Sequence, residues 1–196
     1  MRPPFERQGP GEVPATFGYG DANADFHLIG DHPGVHGGRT TGIPFTETES
    51  GAALLDVLRE VGFVDGSTER PRLTNLFCSY VHPCVLAGGR TPTTDEYDEL
   101  ERFFDAELRA INAHILIPVG ERAIDHVLTE YTTLRHRFDD LADVHAMEIR
   151  GRGFLVVPST DPSKWTPDDR EALVSRLDAI RRSDYRQTKG VATTVG

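Results

Sequence analysis

Residues 25–46 read DFHLIGDHPGVHGGRTTGIPFT, a short apolar run that opens directly into a glycine-rich loop. The run at residues 25–30 is typical of a buried parallel strand, because such strands are covered on both faces. Glycines in the following loop let the backbone approach a ligand closely. The loop also carries acidic, basic and aromatic side chains, namely Asp31, His32, His36 and Phe45. We therefore expect the functional site in this loop.

Three further apolar runs, at residues 72–77, 114–119 and 154–158, predict additional parallel strands. Helical patterns separate the strands, at residues 50–61, 94–111, 121–128 and 167–180. This alternation predicts a three-layer α/β/α sandwich with a central, mostly parallel four-stranded sheet. Residues 147–150 are a further candidate strand, which would pair with residues 154–157 across a glycine-containing turn. In such folds ligands bind outside the carboxyl ends of the strands.

Polar residues mark where the first two helices begin. Ser50 is the expected cap of the helix at residues 50–61. The sequence TTDE at residues 93–96 predicts a capping box for the next helix, whose apolar spacing places Tyr97, Phe103 and Phe104 inward.

The length of 196 residues fits one domain, which we expect to span residues 16–184. Residues 1–15 are expected to be flexible, and residues 185–196 to form a disordered tail. No apolar run approaches membrane-spanning length, and the first residues lack an apolar signal core. These features predict a cytoplasmic protein with no membrane partner, and we expect it to be a monomer.

The net charge of −10 would ordinarily argue against a nucleic-acid partner, because phosphate binding depends on Lys and Arg. Lys164 and Lys189 are the only lysines, and the acidic residues are scattered along the whole chain. This pattern is typical of a halophilic protein, and at high salt an overall charge steers little. The charge therefore neither supports nor excludes DNA.

Four segments resemble motifs of the uracil-DNA glycosylase superfamily, and they occur in the order found there. They are GDHPGVHG with TGIPFT and SGAALL within residues 30–55, LTNL at 73–76, RTP at 90–92 and VPSTDPS at 157–163. The likeness spans roughly residues 25–164 and is greatest to two prokaryotic branches, families four and five, that usually hold an iron–sulfur cluster. Each motif alone is weak, but four in order make a specific signal.

The resemblance implies hydrolysis of the N-glycosidic bond of uracil, or of another deaminated base, flipped out of DNA. It implies that Phe45 stacks on the base and that Asn75 reads its edge with an amide, in a pocket that includes Gly30 and Pro33. Asp31 is the first candidate for orienting the attacking water, and His32 is the second. The expected contacts to the DNA backbone are Arg39, Arg90, Ser163 and Lys164.

The chain departs from the family pattern in two places. Cys78 and Cys84 are its only cysteines, too few for a four-cysteine cluster, so we expect no iron–sulfur centre and no other cofactor. Asp161 stands where relatives place a histidine that hydrogen-bonds the leaving base, and an ionised aspartate can only accept. Either Asp161 donates as a neutral acid, or His32 donates while Asp161 or Asp31 orients the water.

Other interpretations stay open at this stage. Asn75 could tie down a loop, Phe45 could be a core residue, Asp31 could cap a turn and His36 could brace the loop. The chain could also bind a base or nucleic acid without cleaving it. A metal-dependent hydrolase built on Asp31, His32 and His36 is a third possibility, which Pro33 and Gly34 disfavour because they oppose a helix between the histidines.

Overall fold

The computed structural model describes residues 10–183; the predicted tail at 185–196 and residues 1–9 of the N-terminal segment lie outside them. The strands are β1 (Tyr19–Gly20), β2 (Phe26–Gly30), β3 (Val64–Gly66), β4 (Pro71–Leu73), β5 (Leu76–Tyr80), β6 (Ile115–Pro118), β7 (Ile149–Arg150) and β8 (Leu155–Val156). The α-helices are α1 (Pro33–His36), α2 (Glu49–Val61), α3 (Thr94–Ile111), α4 (Glu121–Tyr131) and α5 (Pro167–Arg182). Within these residues, no helix is both long and apolar enough to span a bilayer.

The central sheet has six strands in the order β1-β5-β2-β6-β8-β7. β5, β2, β6 and β8 are parallel, while β1 and β7 are antiparallel edge strands. The predicted fold class and the predicted hairpin of β7 and β8 are confirmed. The sheet exceeds the predicted four strands because β1 and β7 have only two residues each, too few to produce an alternating pattern of their own.

The strand predicted at residues 72–77 is wrong in its boundaries. Residues Pro71–Leu73 form β4, which pairs with β3 in a separate two-stranded sheet. Asn75 then adopts a positive φ of 54°, a conformation that Asn tolerates better than most residues. The chain turns there, and β5 begins only at Leu76.

The helices occur where the sequence predicts them, with two corrections. Thr48, not Ser50, caps α2, because its hydroxyl accepts from the Gly51 backbone N–H at 3.1 Å. The capping box of α3 is confirmed, with Thr93 and Glu96 bonding each other's backbone N–H groups. Phe103 is 50% exposed although it was predicted to face inward.

Helices cover both faces of the sheet and complete three layers. Leu28 of β2 belongs to a cluster with α2 and α5, which includes Leu54 and Leu177. Ile29, the next residue, lies in the opposite cluster with α3 and α4. This reversal follows from the alternation of side chains along a strand, and it makes the sheet apolar on both sides.

The N-terminal segment contacts the domain where the structure describes it. Val13 N–H donates to the Arg39 carbonyl at 2.8 Å, and Val85 N–H donates to the Pro14 carbonyl at 3.1 Å. Ala15 forms an antiparallel bridge with Cys84. Backbone pairing therefore holds residues 13–15 against the domain, and the boundary predicted at residue 16 remains a prediction.

Candidate active site

A cleft of about 410 Å³ opens at the carboxyl edge of the parallel sheet. Its walls come from the loop after β2, the start of α4 after β6, and the segment after β8. The lining residues are Asp31, Val35, His36, Gly120, Glu121, Arg122, Asp125, Asp161 and Lys164. This is the edge at which open α/β sheets bind ligands.

Asp31 directly follows β2, and a residue of helix α3 holds its side chain in place. The Tyr97 hydroxyl on α3 donates a hydrogen bond to Asp31 Oδ1. The Arg122 guanidinium lies 3.9 Å from the centroid of the Tyr97 ring. Burial raises the pKa of Asp31, while the Tyr97 hydrogen bond and the nearby His36, Arg122 and His82 oppose that rise. The cleft thus holds a carboxyl group that is partly dehydrated yet already oriented.

His36 is a second titratable group in the cleft wall. It is 1% exposed, and its Nε2 has no hydrogen-bond partner among the described residues. A Cβ added to Gly120 would lie 3.5 Å from that nitrogen. Burial lowers the pKa of His36, although the carboxylates of Asp31 and Asp161 and a hydrogen bond with the Val119 backbone oppose this. The ring is therefore neutral at neutral pH.

His32 lies behind the cleft wall and not in its lining. Its Nδ1 accepts from the Gly34 N–H at 3.1 Å, which caps α1. Burial lowers the pKa of His32 to about 4. Pro33 and Gly34 were expected to oppose a helix, but they form the start of α1, so this expectation is wrong. Proline is accepted there because the first helical position needs no N–H.

The segment after β8 contributes Asp161 and Lys164 to the cleft. Asp161 Oδ1 accepts from the Ser163 N–H at 2.9 Å and begins the short turn Pro162–Lys164. Ser163 and Lys164 are both exposed, but only Lys164 lines the cleft. Asp161 therefore combines a structural hydrogen bond with a place on the cleft wall.

Comparison with known proteins agrees with this architecture. A family model described as the Uracil DNA glycosylase superfamily matches residues 17–178. The chain belongs to the uracil DNA glycosylase superfamily. A type-5 uracil-DNA glycosylase of Thermus thermophilus is 29% identical over 119 residues, 58% of this chain and 54% of that protein. A type-5 uracil-DNA glycosylase of Pyrobaculum aerophilum is 26% identical over 168 residues, 84% of this chain and 72% of that protein. The match thus spans about half the length of the Thermus relative.

Two residues that the superfamily resemblance assigned to base binding lie elsewhere. Asn75 Oδ1 accepts from the Asp25 N–H at 2.7 Å, at the amino end of the parallel strands. Asp31 lies six residues beyond Asp25, about 20 Å along an extended strand. Asn75 therefore ties down a loop here and does not reach the cleft. Phe45 is 0% exposed, with its ring centroid 5.3 Å from that of Tyr80 in an edge-on arrangement, so its ring is not open to a base in this structure.

Gly30 and Pro33 shape the wall without lining it. A Cβ on Gly30 would come within 2.8 Å of the Phe45 ring and 2.7 Å of Tyr80, so only glycine fits there. Pro33 is buried at the start of α1. Both residues therefore set the position of the loop that carries Asp31 and His36.

The two predicted arginine contacts to DNA are paired with carboxylates. Arg39 forms an ion pair with Glu12. Arg90 donates to both carboxylate oxygens of Glu96, at 2.8 and 2.7 Å. A phosphate would have to displace these partners.

The residues present do not fit the iron–sulfur cluster found in related branches. A four-cysteine cluster needs four thiolates, and the chain has two cysteines. Both are buried free thiols, and burial raises the pKa of Cys84 to about 12. Among residues 10–183, no three His, Cys, Asp or Glu side chains are grouped to hold a metal ion. The hypothesis of a metal-dependent hydrolase thus lacks a ligand set in this region.

Sequence reasoning missed Tyr97 and Arg122 as site residues. Tyr97 lies on the core face of α3, and no local pattern shows that its hydroxyl reaches Asp31, 66 positions earlier. Arg122 had a usable signal, because it follows Gly120 at the carboxyl end of a predicted strand.

Proposed function

We propose that this chain is a DNA repair glycosylase that hydrolyses the N-glycosidic bond of uracil, or of another deaminated base, in DNA. The superfamily match over residues 17–178 carries the proposal. Two relatives named type-5 uracil-DNA glycosylase add the substrate class. The cleft and its oriented carboxyl group supply the chemistry that such a reaction needs.

The base would enter the cleft after leaving the DNA stack, because the reacting bond is out of reach inside a duplex. The cleft volume of about 410 Å³ is within the usual range of small-molecule sites. Asp31, held by Tyr97, would orient a water molecule toward the sugar carbon and accept its proton. Only the ionised carboxylate of Asp31 can accept this proton, so activity is expected to rise as the pH increases through the pKa of Asp31.

The charges around the cleft would govern how DNA approaches. Four carboxylates, those of Asp31, Glu121, Asp125 and Asp161, line it beside Arg122 and Lys164. We infer that these two cations contact the backbone phosphates flanking the flipped nucleotide. The acidic residues weaken long-range attraction at low salt, whereas a high-salt environment screens their repulsion.

A second function is favoured by Asp161. The resemblance to the superfamily implies a histidine at this position, whereas a carboxylate there accepts hydrogen bonds and would not donate one to a departing base anion. A protein that binds a damaged base without releasing it would tolerate this change. This alternative predicts binding of uracil-containing DNA with no abasic product.

One assay separates these functions. The protein is incubated at several salt concentrations with single- and double-stranded oligonucleotides containing uracil, hypoxanthine or xanthine, and alkali-labile abasic sites are measured. We expect cleavage of at least the uracil strand, unchanged by a chelator. Binding without cleavage would favour the second function, and cleavage abolished by a chelator would favour a metal-dependent hydrolase. The monomeric state, the cytoplasmic location and the adaptation to high salt stay predictions from the sequence.

A further inference from the structure

The buried imidazole of His36 interacts with the Val119 backbone but still has one nitrogen without a hydrogen bond of normal geometry. Its Nε2 is inaccessible to solvent and lacks a hydrogen-bond partner among residues 10–183. Unpaired buried polar atoms are uncommon, since leaving one without a partner destabilises the fold, and they often serve a ligand. The residue lines the cleft, so a ligand there is the available partner.

The surroundings fix the ring in place. Its centroid lies 5.4 Å from that of Phe45 and 6.1 Å from that of Tyr80, with the Tyr80 ring nearly parallel. A Cβ added to Gly120 would stand 3.5 Å from Nε2, so the glycine leaves the space beside this nitrogen unfilled. Phe45 and Tyr80 thus position a histidine and need not stack on the base themselves.

We propose that His36 is a catalytic residue that donates a hydrogen bond from Nε2 to the departing base. The proposal rests on the proposed glycosylase function and deepens it, since it names the group that receives the leaving base. It gives the chain a hydrogen-bond donor other than Asp161. His32, whose Nδ1 caps α1 and which does not line the cleft, is not required for that role.

The neutral ring suits this task. As the C1′–N bond breaks, its electron pair moves into the base and places negative charge on a carbonyl oxygen. A neutral N–H in a buried setting stabilises that charge strongly without transferring its proton. Water adds to C1′ and gives its proton to Asp31, and the base anion later takes a proton from solvent. The products are the free base and an abasic sugar.

The test compares leaving groups in variants of His36. His36→Leu removes the donor while keeping a buried apolar side chain, and His36→Gln retains an amide N–H. The matched control is His126→Leu, because His126 also has an unpartnered Nε2 but is only partly buried and lies on α4 outside the cleft lining. Each protein is assayed under single-turnover conditions on DNA containing uracil or 5-fluorouracil, and its melting temperature is measured.

We expect His36→Leu to slow uracil release about 100-fold, the usual effect of removing one donor to a developing oxyanion. The loss on 5-fluorouracil is expected to be at least about tenfold smaller, because fluorine stabilises the departing anion and lessens its need for a donor. His36→Gln should keep more activity than His36→Leu, and His126→Leu should cleave like the wild type.

Equal losses on both bases would overturn the proposal, since they would indicate a structural role for His36. An unchanged rate in His36→Leu would overturn it as well, while leaving the glycosylase function intact. A wild-type protein that releases neither base would refute the proposed function itself, and the role of His36 with it. If His36→Leu fails to fold, the same ratio measured in His36→Phe, which also lacks a donor, decides.

Discussion

The hydroxyl of Tyr97 on α3 donates a hydrogen bond to the carboxylate of Asp31 at the end of β2. The bond joins the helix layer to the cleft, and the Arg122 guanidinium lies over the same tyrosine ring. Asp31 is therefore oriented before any substrate arrives. An oriented carboxylate costs less to organise during the reaction than a mobile one.

Replacing Tyr97 by Phe is expected to move the acid limb of the pH–rate profile to higher pH. The Tyr97 hydrogen bond favours the ionised form, so its loss raises the pKa of Asp31 further above its ordinary value. The plateau rate should fall by less than about tenfold, because the carboxylate itself remains. Tyr131→Phe is the matched control, since it removes a Tyr–Asp105 bond of 3.2 Å away from the cleft. Profiles that coincide for both variants would contradict a positioning role for Tyr97.

The buried side chain of His27 is expected to make the stability of the fold sensitive to acid. Burial lowers the pKa of His27 from 6.5 to about 3, while its Nε2 is hydrogen-bonded to the Ser79 hydroxyl at 2.7 Å. The unfolded chain binds a proton below pH 6.5 that the folded chain does not, so stability falls as pH drops from 6.5 toward 3. His27 alone contributes a slope of about 1.4 kcal/mol per pH unit. Urea unfolding at several pH values should give a shallower slope for His27→Leu, and an unchanged slope would contradict this account.

Neighbouring phenylalanines on α3 are expected to differ sharply in their effect on stability. Phe104 is 3% exposed and packs in the core, so Phe104→Ala should lower the free energy of unfolding by about 3–5 kcal/mol. Phe103 is 50% exposed with Arg102 over its ring, so Phe103→Ala should cost less than about 1 kcal/mol. Similar losses in denaturant unfolding would show that α3 is rotated from the orientation described.

Purified protein is expected to contain no stoichiometric iron. Only two cysteines are available, and Cys84 is buried beside the backbone bridge to Ala15. Treatment with a chelator should change neither the melting temperature nor the activity. Iron measured at one cluster per chain would contradict this expectation.

The sequence predicted much of the fold because that information is local. Apolar runs at residues 25–30 and 114–119 identified β2 and β6, and the TTDE segment identified the start of α3. β5 was misplaced because the left-handed turn at Asn75 divides an apolar stretch that looks continuous. β1 was missed because two residues carry no periodic signal.

The site was less accessible from the sequence. The loop after β2 indicated Asp31, since a strand end at the ligand edge is a general feature of the fold. The partners of Asp31 depend on packing between distant segments, so neither Tyr97 nor the unpaired nitrogen of His36 could be inferred. Asn75 was assigned from its neighbours in sequence, whereas its position is set by the direction of the strand that follows it.

The central claim is that a carboxylate at Asp31 drives release of a base from DNA. The most direct measurement is chromatographic detection of free uracil from a uracil-containing oligonucleotide, with wild-type protein and with Asp31→Asn. We predict release by the wild type and a fall of about 10²- to 10⁴-fold in the variant, with no loss of melting temperature at neutral pH, since asparagine can still accept from Tyr97. Equal release by both proteins, or none by the wild type, would contradict the account.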